Sequence, residues 1–241
     1  MRAIICGANG AMGKLIQQRL EGQIAGLVSL DGDNGVAKTF DELGAVDADV
    51  IIDFSHHSAI SDVLRYAKKN RCAVVVGATG HTPEEKEQIY AAAKDVPVFY
   101  TGNMSLGIAV LCNLAKQAAG CFPDADIEIV EVHHNRKVDA PSGTAHMLFE
   151  AVKEVRPDAT ANTGRSGEGK RTKDEIGIAS LRMGNVVGIH EVHICTANQT
   201  LTLRHEAHDR GMFADGAVSA ARYVFEKAPG LYNMTHLLEE A

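Results

Sequence analysis

Over the first hundred residues, short apolar runs alternate with amphipathic stretches. The apolar runs at 2–6, 24–30, 49–54, 72–76 and 97–100 predict buried strands. Segments of helical period at about 11–20, 57–69, 82–93 and 105–120 predict helices. Continuous runs such as Val50-Ile51-Ile52 and Ala73-Val74-Val75-Val76 fit strands covered on both faces. Thr82-Pro83-Glu84-Glu85 supplies a cap, a proline at the first helical position and a glutamate three residues after the cap, which together start a helix. Strands that alternate with helices in this way imply βαβ units and a parallel sheet.

The pattern changes after about residue 125. A strand over 126–133 leads to a helix near 144–155, followed by a polar, glycine-rich stretch at 157–175. Strand-like segments near 176–182, 187–196 and 199–207 then predict a second, mixed α/β unit with a hairpin-rich sheet. Residues 211–226 return to helical period, with small side chains suited to close packing against the first domain. There is no internal repeat and no low-complexity tract.

The 241 residues suffice for one large domain or two modest ones. A net charge of −7 lacks the basic footprint expected of a nucleic-acid or anionic-membrane binder. No apolar run approaches the ~20 residues of a membrane span. Arg2-Ala3-Ile4-Ile5-Cys6-Gly7 reads as a strand and turn rather than a secretory signal. Cysteines 6, 72, 112, 121 and 195 have no C-x-x-C spacing. Scattered through apolar segments, they predict buried free thiols and a cytoplasmic, reducing setting.

Candidate chemistry lies at two places. Gly7-Ala8-Asn9-Gly10-Ala11-Met12-Gly13 follows the first strand and opens a helix, spaced G-x-x-G-x-x-G rather than G-x-G-x-x-G. Glycines there permit a tight turn and close backbone approach to a pyrophosphate on the helix N-terminus. The alternative is a glycine-rich turn without a ligand. Asp31, at the end of the second strand, occupies the place of a ribose-binding acid; Asp31 and Asp33 also suit ordinary turn positions. No Lys or Arg follows until Lys38, so the residues lean toward NADH, with NADPH left open. Gly77-Ala78-Thr79-Gly80 and Thr101-Gly102-Asn103-Met104-Ser105 end the fourth and fifth strands, where they are placed to line a nicotinamide.

The second place is Glu131-Val132-His133-His134-Asn135-Arg136-Lys137-Val138-Asp139-Ala140-Pro141-Ser142-Gly143-Thr144-Ala145. Adjacent histidines on a strand face opposite ways, so His133 and His134 predict different roles. Histidine suits proton donation near neutral pH. Lys137 adds a cation, and Ser142-Gly143-Thr144 caps a helix whose amides and hydroxyls suit a carboxylate. The plain alternative for the histidine pair is a surface or core position.

This segment resembles the signature of the 4-hydroxy-tetrahydrodipicolinate reductase (dihydrodipicolinate reductase) family. The likeness extends over nearly the whole chain, through Asp53-Phe54-Ser55, Gly77-Ala78-Thr79-Gly80, Asn103-Met104-Ser105-Leu106-Gly107, Ile176 to Gly184, Gly188-Ile189-His190-Glu191 and His205 to Arg210 to Phe213-Ala214-Asp215-Gly216-Ala217. It implies an α/β fold with an N-terminal Rossmann-type parallel-sheet domain (1–103, completed by 208–241) and a mixed α/β substrate-binding and oligomerisation domain (104–207). It also implies reduction of a cyclic unsaturated imine dicarboxylate by NADH or NADPH, in homotetramers. His133 would be the general acid/base, and Lys137 would bind a substrate carboxylate and assist protonation. His134, Gly143 and Thr144 would complete the dicarboxylate site. Gly7 to Met12 (Gly7, Ala8, Asn9, Gly10, Ala11, Met12), Gly77 to Thr79 and Thr101 to Met104 would contact the cofactor. Arg165 and Arg182 match family arginines but receive no catalytic role. Three departures stand out: Ser29-Leu30-Asp31 lacks the basic residue that often follows the acid, Ala78 replaces a frequent Thr, and Met104 a frequent Phe.

Three rivals remain. Gly164 to Arg171 nearly spells a P-loop, but Arg171 stands where the Mg²⁺-binding hydroxyl belongs, and 157–162 reads as no buried strand; a mobile basic loop is the better reading. His190-Glu191-Val192-His193 is not H-E-x-x-H, which argues against zinc. A non-catalytic NAD(H) sensor would not need the His133/Lys137/Ser142-Gly143-Thr144 set.

Overall fold

The structure, a computed structural model, describes every residue except Asn34 and Ala241. The domain end expected at 241 therefore lies outside the described residues. The chain forms two compact units, residues 1–105 with 211 onward, and residues 106–210.

The first unit runs β1 (Ala3–Cys6), α1 (Ala11–Arg19), β2 (Ile24–Val28), α2 (Phe40–Leu43), β3 (Val50–Asp53), α3 (Ile60–Asn70), β4 (Ala73–Val76), α4 (Pro83–Ala92) and β5 (Pro97–Tyr100). The second contains α5 (Leu106–Cys121), β6 (Asp126–His133), α6 (Gly143–Lys153), β7 (Thr160–Asn162), β8 (Glu175–Arg182), β9 (Gly188–Cys195) and β10 (Thr200–Ala207). The chain then returns to the first unit as α7 (Gly211–Val224), β11 (Gly230–Tyr232) and α8 (Met234–Glu239).

The first sheet has the order β11-β5-β4-β3-β1-β2, and every pairing is parallel. All residues of β1, β3 and β4 are buried, with α1 packed on β1 and both α3 and α7 on β3 and β4. That double cover is why these strands are uniformly apolar. Val28, Cys6, Asp53, Val76 and Tyr100 lie in register, so five strand ends open on one edge. The strand order reverses between β1 and β3, the place where open α/β sheets take ligands. In α7 the small residues permit contact with backbone: a Cβ on Gly216 would lie only 1.7 Å from the Met104 carbonyl oxygen.

The second sheet has the order β10-β9-β6-β8-β7. Along β6, Ile127 and Ile129 enter a core with Leu111 of α5 and Leu148 of α6, and alternate with half-buried Glu128 and Val130. The opposite face carries Val132, half-exposed beside its cross-strand neighbours Leu181 and Ile189.

Several expectations need correction. The second sheet is not hairpin-rich: only β9 and β10 form a hairpin among the described strands, while β8 pairs parallel to both β6 and β7. Residues 160–162, expected to be no buried strand, form a three-residue edge strand with largely exposed side chains. The helix expected from 57 starts as a 3₁₀ turn, His57–Ala59. The elements α2, β7, β11 and α8 are new; at three to six residues each, they are too short to display a period. All five thiols are free, but only Cys6 and Cys72 are buried; Cys112 is half-buried, and Cys121 and Cys195 are exposed.

Candidate active site

In the first unit, the β1–α1 turn is built for close approach. Gly7 has φ +78°, and a Cβ there would meet the Phe54 carbonyl oxygen at 2.6 Å. Gly10 is the N-cap of α1 and, having no side chain, leaves the helix end without a side-chain cap. A helix N-terminus in that state suits a phosphate group. Gln17 donates to the Ala8 carbonyl at 2.7 Å and steadies the turn.

A cavity of about 390 Å³ opens beside this turn, lined by Gly7, Asn9, Gly10, Leu30 and Asp31, with Lys38, Phe40 and Phe54 also on its wall. Asp31 accepts from the Ser29 hydroxyl at 2.6 Å and from the Asn9 amide at 3.2 Å. Those two hydrogen bonds hold its carboxyl below the usual range, so it is ionised at neutral pH. A second cavity, about 280 Å³, brings together Met12, Gly77, Thr79 and Thr101 to Met104 with Phe54 and Phe213. The loop 101–105 is held by its own turn bonds: Thr101 Oγ1 donates to the Asn103 carbonyl at 3.0 Å, and Asn103 Oδ1 accepts from the Ser105 amide at 2.8 Å.

Of the cofactor residues expected from sequence, Gly7, Asn9, Gly10 and Asp31 line the first cavity, and Met12, Gly77, Thr79, Thr101, Gly102, Asn103 and Met104 the second. Ala8 and Ala78 are buried and Ala11 is exposed; none of the three lines either cavity. Phe54 and Phe213 were not anticipated as walls. Asp53 touches neither cavity: it is fully buried, and its Oδ1 accepts from the Ser55 amide and hydroxyl at 2.9 and 2.5 Å. Burial pushes its carboxyl up.

In the second unit the strand register assembles a polar row at one end of the sheet. Glu131 of β6 pairs with Ser180 of β8 on one side and His190 of β9 on the other; His190 pairs in turn with His205 of β10. His133 pairs with Arg182. Glu131 and His133 share a strand face, being two residues apart. That face is the core face of Ile127 and Ile129, so a charge there is buried and needs partners.

Glu131 has them. Arg182 grips it end-on, Nη1 to Oε2 at 2.9 Å and Nη2 to Oε1 at 2.7 Å. His133 Nδ1 lies 2.5 Å from Oε2, and the Ser142 amide donates to Oε1 at 3.1 Å. Burial opposes ionisation of Glu131, but the hydrogen bonds from Arg182, His133 and Ser180 outweigh it and hold the carboxyl down to about 2. An ionised Glu131 requires His133 to carry a proton on Nδ1, which leaves Nε2 as the nitrogen that exchanges protons. Gly188 leaves room at that nitrogen: a Cβ there would stand 3.2 Å from Nε2.

His190 packs edge-on to His133 with centroids 5.1 Å apart, and its Nε2 lies 3.1 Å from the Ser142 hydroxyl. Burial, with the neighbouring His133, pushes it down to about 4, so it is neutral. Ser142 is the N-cap of α6 and accepts from the Ala145 amide at 3.2 Å. Gly143 and Thr144 open the first turn of α6, and a helix N-terminus suits an anion. Space is open beside Gly143, with nothing within 4 Å of a Cβ there. Lys137 is ion-paired to Asp139 at 2.8 Å, which leaves its ammonium further donors for another carboxylate. His134 is held below the usual histidine range by burial and by the nearby Arg136.

Of the expected residues of the second place, hydrogen bonds bring His133 and Ser142 together through Glu131, with Gly143 and Thr144 next in α6; His134 and Lys137 make no bond to this group. Sequence reasoning missed Glu131 and His190 and gave Arg182 no task. The available signal for Glu131 was its alternation with Ile127 and Ile129, which places a carboxylate at an inward strand position. The P-loop rival has no strand–helix context: Arg171 is instead bound to Asp126, Glu128 and the Ile127 carbonyl. Among the described residues, no group of three or more His, Cys, Asp or Glu is placed to hold a metal ion.

A phosphate-ready glycine turn with two cavities, on a doubly covered parallel sheet, and a carboxylate-oriented histidine in a second mixed unit are the features of a Rossmann-type α/β protein with a candidate acid. Comparison with known proteins narrows this. The family models described as dihydrodipicolinate reductase N-terminus and C-terminus match residues 1–104 and 107–238. The chain belongs to the dihydrodipicolinate reductase family. It is 40% identical over 245 residues to a 4-hydroxy-tetrahydrodipicolinate reductase of Alkaliphilus oremlandii, covering 99% of this chain and 98% of that one. Identity to the reductase of the same name from Caulobacter vibrioides is 41% over 249 residues, 99% of this chain and 97% of the other. Among solved structures, a dipicolinate-bound dihydrodipicolinate reductase from Paenisporosarcina sp. TG-14 superposes with a TM-score of 0.76 at 25% identity, covering 97% of each chain. An amine dehydrogenase from Mycobacterium smegmatis shares the fold, with a TM-score of 0.63 at 14% identity and coverage of 97% and 95%.

Proposed function

We propose that this chain reduces 4-hydroxy-tetrahydrodipicolinate to tetrahydrodipicolinate with NAD(P)H, in the diaminopimelate route to lysine. The carrying observation is the second-unit cluster, where a histidine with a fixed Nδ1 stands with the N-terminus of α6 and Lys137. Dipicolinate, present in the Paenisporosarcina neighbour, is a ring with two carboxylates, the chemistry this cluster suits.

His133 is the general acid, delivering a proton from Nε2; His134, Lys137, Ser142, Gly143 and Thr144 bind the dicarboxylate. A nicotinamide bound in the first unit would supply a hydride for ring C4, His133 would supply the proton, and the ring hydroxyl would leave as water. The α6 N-terminus and the Lys137 ammonium, ion-paired to Asp139, favour the dianionic substrate. We assign residues 1–103 with 208–241 to cofactor binding and 104–207 to substrate binding and tetramer assembly.

In the cofactor unit, Gly7 to Met12 would hold the pyrophosphate and Asp31 the adenosine ribose, while Gly77 to Thr79 and Thr101 to Met104 would hold the nicotinamide. The fit rests on the uncapped α1 N-terminus and the two adjoining cavities. NADH is favoured, because an ionised Asp31 repels a 2′-phosphate; Lys38 on the same cavity wall keeps NADPH admissible. Tetramers are expected to form through the sheet face bearing Val132, Leu181 and Ile189. The setting is cytoplasmic, in keeping with five free thiols and no described helix long and apolar enough to cross a membrane.

The test follows NADH and NADPH oxidation by absorbance, with substrate formed in situ from pyruvate and aspartate semialdehyde by the preceding synthase. Oxidation dependent on that substrate is expected, with the larger kcat/KM for NADH. Folded protein that binds NADH but oxidises neither cofactor would overturn the reading in favour of a sensor.

A further inference from the structure

We propose that Glu131 is the positioning residue of the second-unit site: one buried carboxylate locks the imidazole of His133, the N-terminus of α6 and the Arg182 end of β8 into a single hydrogen-bonded frame. The proposal rests on the reading of His133 as the acid, and it gives a task to two residues to which the sequence analysis assigned none.

The argument starts from burial. Glu131 is wholly inaccessible and spends both oxygens: Oε1 on Arg182 Nη2 and the Ser142 amide, Oε2 on Arg182 Nη1 and His133 Nδ1. A buried carboxylate with this many donors tolerates little displacement, since each lost bond leaves an uncompensated charge. The three things it touches are separate along the chain: the end of β6, the cap of α6 eleven residues on, and β8 fifty-one residues on. Their mutual placement is therefore set at Glu131.

Each contact has a chemical consequence. The bond to His133 fixes the tautomer, so that Nε2 faces the space beside Gly188. The bond to the Ser142 amide sets the position of the helix end that follows, Gly143 and Thr144 included. Arg182 also donates to the Asp139 carbonyl at 2.7 Å, extending the frame into the loop that carries Lys137. The acid and the anion-binding helix end are thus held in register by one side chain. Arg182 has a second effect: its bidentate grip neutralises Glu131 strongly enough that the carboxylate does not take the His133 proton for itself.

The charged and titratable groups facing His133 are Glu131 on its own strand, Arg182 from β8, His190 from β9 and, behind it, His205 from β10, with His134, Lys137 and Asp139 from the loop. Glu131 and Asp139 are the acids of this set, and only Glu131 bonds the imidazole. Removing its charge leaves the imidazole with no acid bonded to it.

The test uses the full-length chain with Glu131→Gln, which keeps the shape and drops the charge, and Glu131→Asp, which keeps the charge but retracts it by about one methylene. Three readouts are taken: the ¹⁵N shifts of His133, which report its tautomer; the affinity for dipicolinate as a dicarboxylate probe; and the pH profile of kcat. For Glu131→Gln, a mixed His133 tautomer is expected, and dipicolinate binding about 3-fold or more weaker. We also expect kcat to fall roughly 10- to 100-fold, short of the ~10²–10⁴ for loss of the acid itself. The basic limb of the kcat profile should move to lower pH, because the imidazole has lost the carboxylate bonded to it. Glu131→Asp should fall between the two in kcat and keep the basic limb nearer the wild-type position, which separates charge from mere filling of space. A folded Glu131→Gln protein with wild-type tautomer and pH profile would overturn the proposal, whatever its kcat. If the wild-type chain neither binds dipicolinate nor turns over, the functional reading fails instead, while the tautomer measurement still decides the role of Glu131.

Discussion

Gly77→Ala should damage cofactor binding while leaving the fold nearly intact. A Cβ at residue 77 would sit 2.4 Å from Phe54 Cζ and 2.5 and 2.8 Å from two further ring carbons. Ordinary van der Waals contact begins near 3.4 Å, so the ring must retreat by about 1 Å. The obstacle is a side chain, not backbone, and it has somewhere to go: Phe54 lines both the 390 Å³ and the 280 Å³ cavities. The strain therefore appears as lost cavity space rather than lost stability. Overpacking of this kind costs about 1–3 kcal/mol, and at roughly 1.4 kcal/mol per tenfold the NADH Kd should rise about 5- to 100-fold. The chain has no tryptophan, so bound NADH can be titrated by its own fluorescence without energy transfer from indole. A double-mutant cycle with Phe54→Leu isolates the cause: the smaller side chain should relieve the clash and give a coupling energy of about 1 kcal/mol or more. Wild-type NADH affinity in Gly77→Ala, or strictly additive losses in the double variant, would refute the reasoning.

His133→Ala should lower kcat by about 10²–10⁴, and Lys137→Ala should lower kcat and also raise KM, as steady-state kinetics will show; two variants with wild-type turnover would refute the assignments. Acid should destabilise the fold in two stages. The folded chain holds His190 at about 4 against an ordinary 6.5, so the unfolded chain takes up that proton first, and about 3 kcal/mol is lost as pH falls from 6.5 to 4. Glu131, held at about 2 against 4.5, loses its contribution between those values as it is protonated. An unfolding temperature that stays flat from pH 7 to 4.5 would contradict a neutral, buried His190. Gly216→Ala sets a Cβ 1.7 Å from a backbone oxygen that no rotamer change can move, and should lower the melting temperature by roughly 6–12 °C or block folding. Gly164→Ala, with open space around it, should melt as wild type does.

The long elements were legible because their signals are local. β6 over 126–133 and the α4 capping box at Thr82 and Glu85 fall where period and cap chemistry put them. The short elements were not. Three residues at 160–162 become a strand only because β8 offers an edge, and 230–232 only because β5 does. The thiol of Cys195 shows the same limit: its apolar neighbours alternate inward, and the cysteine at the strand end points out to solvent.

By itself the sequence determined which segments are strands and helices, that glycines occupy the first turn, and that a histidine pair, a lysine and a helix cap share one fifteen-residue stretch. These are properties of neighbours along the chain, and period, caps and motif spacing read them directly. Only the tertiary structure decided that Arg182, Ser142 and His133 meet at Glu131, that His190 lies across the strand from it, and that Phe54 walls two cavities. Such contacts depend on strand register, which pairs residues tens of positions apart. A shift of one residue would turn Glu131 to the other face, and nothing in the local pattern records that choice.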